Sequence, residues 1–306
     1  MISNLDASSE LFLTNVSRIQ GRIAEANRQI SSGKKIGQPS DAPDQIDSLL
    51  QLRANLQHNT QIQSNLGLAL TDAQAADQAL GSAISLMDRA RVLASQGANS
   101  TMDTAGRQSL AQETQSLLDE MVAYSQTTVQ GRFIFSGDQD GGPAYQGSAA
   151  SATGVVQLTT AAATRRIEDP AGGSFAASRT AQEIFDNRNA DDTPAVDNVF
   201  AAVSGLKAAL LRDDPLAVEQ VSGTVQASSL HLNSMLAFYG NVQARVQDAA
   251  SIGARYDTDM RKQLSNTEDA DAAAAALELT QGNIQLQAAF QARAAMPHKT
   301  LFEYLG

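Results

Sequence analysis

Residues 12–33 read FLTNVSRIQGRIAEANRQISSG, and their spacing decides the architecture. Phe12, Val16, Ile19, Ile23, Ala26 and Ile30 follow one another at steps of four, three, four, three and four. A mean step of about 3.5 is the seam of a coiled coil, narrower than the stripe of an ordinary surface helix. Between them stand Arg18, Gln20, Arg22, Glu25, Asn27 and Arg28, which suit water or a polar groove. Gly33 predicts the stop, because a helix commonly ends on a left-handed residue and glycine adopts that conformation without strain.

Beyond a loop through Pro39, Ser40-Asp41-Ala42-Pro43 predicts a new helix. Ser40 suits the N-cap, Asp41 the positive helix end and Pro43 the first turn. The pattern continues to about Asn99, with Leu66, Leu70, Ala73, Leu80, Ile84 and Met87 again at heptad spacing. Gly67 and Gly81 each cost about 1 kcal/mol against Ala and allow a kink. Asn99 to Asp103 caps a third helix that is expected to reach about Val129 and end at Gly131. Its inward face is Leu110, Thr114, Leu117, Met121, Tyr124 and Thr128, and Arg132 to Ser136 then reads as β.

From Gly137 to about Asp192 the composition shifts to Gly, Ala, Thr and Ser, with the β-prone run Val155 to Thr159. Helical pattern resumes from Val196 to Leu211 and breaks at Asp213-Asp214-Pro215. Val218, Val221, Val225, Ser228, Leu232, Met235, Tyr239, Val242, Val246 and Ala249 then keep the alternation of three and four, toward Leu264. A last helix is expected from Thr267-Glu268-Asp269 to Pro297, carrying Leu277, Leu279, Ile284, Leu286 and Phe290.

The fold class implied is mainly α: an elongated bundle of long coiled-coil-like helices, the N- and C-terminal helices paired, with a small Gly-rich β insert. Three domains are expected. Residues 1–40 with 266–306 form a terminal assembly domain, 41–137 with 195–265 a helical bundle, and 138–194 a β-rich outer insert.

Composition narrows the function. The formal net charge is −11 with no basic run, so neither nucleic acid nor an anionic membrane is an expected partner. No run of about 18 apolar residues exists. Met1 to Glu10 lacks the basic and apolar parts of a secretory signal. The absence of cysteine excludes disulfides, thiolate metal sites and a Cys nucleophile.

Catalytic templates fail one by one. A phosphate-binding loop around Gly33-Lys34 would need Gly where Arg28 stands and Ser or Thr where Lys35 stands. Gly172-Gly173-Ser174-Phe175-Ala176 lacks the last Gly of a nucleophile elbow. Gly137 to Gly142 lacks the third ligand and the Glu of a calcium loop. His58, His231 and His298 have no ligand-spaced neighbours, and Asp213-Asp214 reads as a cap and turn. No catalytic residue, cofactor or metal is expected.

The two chain ends therefore carry the candidate site, an assembly interface of Phe12, Val16, Ile19, Ile23, Ile30, Leu277, Ile284 and Leu286. Each such side chain contributes about 1.5–3 kcal/mol when buried. Ordering the backbone costs about 1–2 kcal/mol per residue, so a lone terminal helix should fray. Periodicity alone serves an intramolecular bundle and a polymerising subunit equally well.

Ile30 to Pro43 (ISSGKKIGQPSDAP) resembles the N-terminal signature of the bacterial flagellin family. Its Pro39-Ser40-Asp41 with Pro43, the passage Gly131 to Gly137 and the tail Pro297 to Leu305 are similar to the family's hook–filament junction branch. The resemblance covers about residues 1–137 and 195–306. It implies a structural subunit that forms the junction between hook and filament by helix-mediated self-assembly. It also implies a ring of copies, a neighbouring hook-associated protein and flagellin as partners, a cytoplasmic export chaperone, and type III export to the extracellular flagellum without a cleaved signal. A short filament flagellin is the alternative within the family. An adhesin or enzyme carried on the β insert is the alternative outside it.

Overall fold

The structure, a computed structural model, describes residues 2–295, with side chains from residue 9 onward. Seven α-helices and six short strands make up the described chain: α1 (Ile2–Ser32), α2 (Ile46–Gly97), α3 (Thr104–Ser125), β1 (Thr128–Val129), β2 (Arg132–Phe133), β3 (Tyr145–Gly147), β4 (Val155–Gln157), β5 (Arg166–Glu168), β6 (Ser174–Ala176), α4 (Ala181–Phe185), α5 (Val199–Leu211), α6 (Pro215–Glu268) and α7 (Ala272–Ala294). They fall into two compact units, residues 1–58 with 257–306 and residues 59–256, and α2 and α6 contribute to both.

In the second unit the sequence pattern becomes a closed core. The α2 positions Leu66, Leu80 and Met87, the α3 positions Leu117 and Met121, and the α6 positions Val218, Val225, Leu232, Tyr239, Val242 and Val246 are all buried. The residues expected to form a separate outer insert share this core. Phe135, Tyr145, Phe185 and Phe200 meet as edge-on, tilted and stacked rings 5.3–5.8 Å apart, and Ile167 and Phe175 join the same cluster. The insert holds two separate antiparallel hairpins, β3–β4 and β5–β6, and a third, β1–β2, lies just before it.

One buried acid ties the insert to the helices. Asp186, just past α4, accepts hydrogen bonds from Tyr145 Oη at 2.9 Å, Arg188 Nε at 2.9 Å and Asn198 Nδ2 at 2.8 Å. Asn198 in turn caps α5 through Ala201 N, and its carbonyl accepts from Ser228 Oγ on α6. Burial first, and then the Asp186 carboxylate, push the Tyr145 phenol far up. Arg165 adds a second tether, pairing with Asp72 on α2 and with Asp140.

Four element boundaries differ from the sequence expectation. α2 begins at Ile46, because Ser40-Asp41 builds a 3₁₀ turn in which the Asp41 carboxylate accepts from Gly37 N at 3.0 Å and Gln38 N at 2.8 Å. α2 then runs unbroken past Gly67 and Gly81. α3 stops at Ser125; Gln130 and Gly131, with φ of 52° and 77°, form the two-residue turn of the β1–β2 hairpin, and Thr128 lies on its exposed side. α6 continues through Thr267 and Glu268, and α7 starts only after Asp271, whose carboxylate accepts from Ala273 N and Ala274 N. Pro297, the expected end of α7, lies outside the described residues, as do His298 and the tail to Leu305.

Candidate assembly interface

α1 and α7 run antiparallel and pack along most of their length. The ring of Phe12 meets the edge of Phe290 at 6.1 Å, and the Arg293 guanidinium lies 5.6 Å from the Phe12 ring centre while donating to Ser9 Oγ at 2.9 Å. Further along, Arg22 pairs with Glu278 and donates to Gln285 Oε1 at 3.3 Å. Gly282 faces Ile23 so closely that a Cβ there would stand 2.7 Å from Ile23 Cγ1.

The α1 half of the predicted set lies on this seam. Val16 and Ala26 are buried, and Phe12, Ile19 and Ile23 are partly buried, while Ile30 at the end of the row is exposed. The α7 half divides. Leu286 is partly covered, but the inward positions of α7 are Ala275, Leu279, Gly282, Leu286, Ala289 and Arg293, again at steps of four and three. Leu277 and Ile284 sit off that row, facing away from α1. Half of the inward row is small, and at Gly282 the two helices approach closely, while Leu277 and Ile284 remain outside.

The consequence is an apolar exterior. Leu11 is 65% exposed, Leu13 63%, Ile284 60%, Leu277 59% and Phe290 51%, all on one pair of helices. Leu11 and Leu13 escaped the sequence reading because they fall between seam positions. Isolated exposed leucines are ordinary, whereas large contiguous apolar patches are the ones that go with contact surfaces.

The base of the pair is built from backbone. Gly33, with φ of +69°, ends α1, and its carbonyl accepts from Ala270 N at 2.9 Å. Lys34 and Asp269 form an antiparallel bridge beside it.

Elsewhere polar groups are engaged with one another. A cleft of about 480 Å³ bordering the insert holds Lys207 Nζ donating to Gln115 Oε1 at 2.6 Å and Gln115 Nε2 donating to Asp119 at 2.7 Å. His231 places Nε2 2.9 Å from the Glu183 carbonyl and Nδ1 3.3 Å from Asp197. Asp214 caps α6 through Leu216 N and Ala217 N, and Asp213 receives Thr104 Oγ1 and Arg107. Gly172 and Gly173 turn the β5–β6 hairpin. Among the described residues no three metal-ligating side chains converge, and no helix is long and apolar enough to cross a membrane.

Residues 2–140 match the sequence family described as the bacterial flagellin N-terminal helical region. Flagellin from Clostridium tyrobutyricum is 28% identical over 162 residues, covering 53% of this chain and 42% of the relative. Flagellin A from Vibrio anguillarum is 27% identical over 158 residues, covering 51% and 41%. The chain thus spans about two fifths of the length of these flagellins. Among solved structures, a putative flagellar hook-associated protein from Vibrio parahaemolyticus superposes with a TM-score of 0.62 at 19% identity, covering 75% of this chain and all of that one. Flagellar hook associated protein-3 from Legionella pneumophila gives 0.60 at 13%, covering 72% and 98%. The flagellar junction protein from the same organism gives 0.54 at 12%, covering 74% and 99%. The chain shares the hook-associated fold: long helices in a bundle with a small β insert.

Proposed function

We propose that this chain is a non-enzymatic structural subunit of the bacterial flagellum, placed at the junction between hook and filament. It assembles through α1 and α7. The observation that carries the reading is the apolar exterior of that pair, Leu11, Leu13, Leu277, Ile284 and Phe290, on a scaffold with a flagellin N-terminal region. Phe12, Val16, Ile19, Ile23 and Leu286 hold the two helices together, while Leu277 and Ile284, with Ile30, meet neighbouring subunits. The partners in this reading are further copies in a ring, a hook-associated protein on one side and flagellin on the other. Export to the extracellular flagellum, escorted by a cytoplasmic chaperone, belongs to the same reading.

The test is the double variant Ile19→Ser, Ile23→Ser. It should leave the second unit folded by circular dichroism and yield a soluble chain that builds no junctions and supports no motility. Normal motility with that variant would defeat the assignment. Polymerisation of the purified chain alone into long filaments would instead favour a filament flagellin.

A further inference from the structure

We propose that Glu268 is an acid-releasable latch that holds the bases of α1 and α7 together. Its side chain is only 3% exposed, although it closes α6 among turns and helix ends. Two cations reach it from separate elements: Lys34 from the α1–α2 loop, and Arg53 Nη2 from α2 at 2.8 Å. Its backbone carbonyl is engaged as well, accepting from Lys35 N at 2.6 Å and Ile36 N at 3.3 Å. One residue therefore gathers the loop that leaves α1, the start of α2 and the turn that enters α7.

A carboxylate removed from water stays charged only if cations and donors replace its hydration. Here Lys34 and Arg53 do so while remaining about half exposed themselves, so the cost of desolvation falls on the acid. The other acids nearby are occupied. Asp269 accepts from Ser265 Oγ at 2.5 Å, Asp271 caps α7, and Asp47 lies on a groove with Asn266 and Thr267. Protonating Glu268 removes both ion pairs and leaves the carbonyl bonds to hold the loop alone, so those bonds open more often. Release loosens the base of the pair without unfolding it.

Burial pushes the Glu268 carboxyl up, but Lys34 and Arg53 together outweigh burial and hold it below its ordinary value of 4.5. A group depressed on folding stabilises fully above its unfolded value and loses that contribution as pH falls through its folded one. The latch is thus closed at neutral pH and opens below 4.5. The register of the pair, with Phe12 against Phe290 and Ile23 against Gly282, starts from this point.

The experiment is hydrogen exchange on the full chain, expressed as protection factors so that intrinsic pH dependence cancels. The amides of Lys35, Ile36 and Ala270 report on the latch, and those of Leu80, Met121 and Leu206 serve as internal reference. Glu268→Gln should lower reporter protection at pH 7 several-fold and leave the reference unchanged. It should also abolish the loss of reporter protection that the unsubstituted chain shows as pH is lowered from 7 into the acid range. Reporters that match the unsubstituted chain at pH 7, or an unsubstituted chain whose reporters keep their protection at every acid pH at which the reference amides keep theirs, would overturn the latch. Should Glu268→Gln yield no folded protein, Arg53→Gln decides. It must move release to higher pH, and an unchanged midpoint sinks the proposal. None of these readouts requires a flagellum, so the latch and the flagellar reading fail separately.

Discussion

The α6 seam and the α1 seam have the same spacing and different fates. Val225, Leu232, Tyr239, Val242 and Val246 of α6 are buried, because α2, α3, α5 and the insert supply the other members of their core. Phe12, Ile19 and Ile23 of α1 remain partly covered, because among the described residues α7 is the helix that packs along them. Periodicity specifies which face is apolar. The number of neighbouring elements decides whether water leaves it. A pair of helices has one shared seam, and large residues off that seam stay wet until another body arrives.

The comparison can be broken most severely at Asp186. Asp186→Ala leaves Tyr145, Asn198 and Arg188 without their shared acceptor and should cost about 3–5 kcal/mol, the usual penalty for removing one member of a buried charged pair. Thermal unfolding followed by near-ultraviolet circular dichroism through the tyrosines is the check. A shift within the error of the measurement would show that the insert is not held to the helices in this way.

A smaller effect belongs to Gly282→Val, which drives a side chain into Ile23. Overpacking of this kind costs about 1–3 kcal/mol. Exchange should quicken along α1 and α7 and remain unchanged at the aromatic cluster of the second unit. Equal loss in both places would mean that the pair and the core are not separately stabilised.

The least effect on stability sharpens the contrast. Leu277→Ser with Ile284→Ser should change the unfolding free energy of the free chain by no more than about 0.5 kcal/mol per site, as exposed positions do. The same variant should impair assembly in cells. Marked destabilisation of the free chain would place these side chains in an internal contact rather than at a neighbour.

Much of this was legible in the residues. Gly33 ends α1, Asp214 with Pro215 starts α6, and the α6 row is buried as its spacing implies. The misplacements share a cause: one local signature serves two structures. Ser40-Asp41-Pro43 caps a helix or folds into a 3₁₀ turn, and the backbone amides of Gly37 and Gln38 decided for the turn. Gly131 suits a helix end or a hairpin turn equally, since both need a positive φ. At the candidate site, large side chains picked out Leu277 and Ile284 as assembly positions but not the small Ala275 and Gly282, which make the close approach between α1 and α7. Glu268 could not be singled out from sequence, because its burial depends on Lys34 and Arg53, more than two hundred residues away along the chain.

One measurement bears most directly on the central claim: amide exchange across α1 and α7, in the purified chain and again in isolated flagella that contain it. The account predicts exchange of both helices that is measurably slowed but faster than that of the second unit in the free chain, slow exchange of the second unit in either state, and strong protection of α1 and α7 only after assembly. Terminal helices protected to the same degree in both states would contradict it.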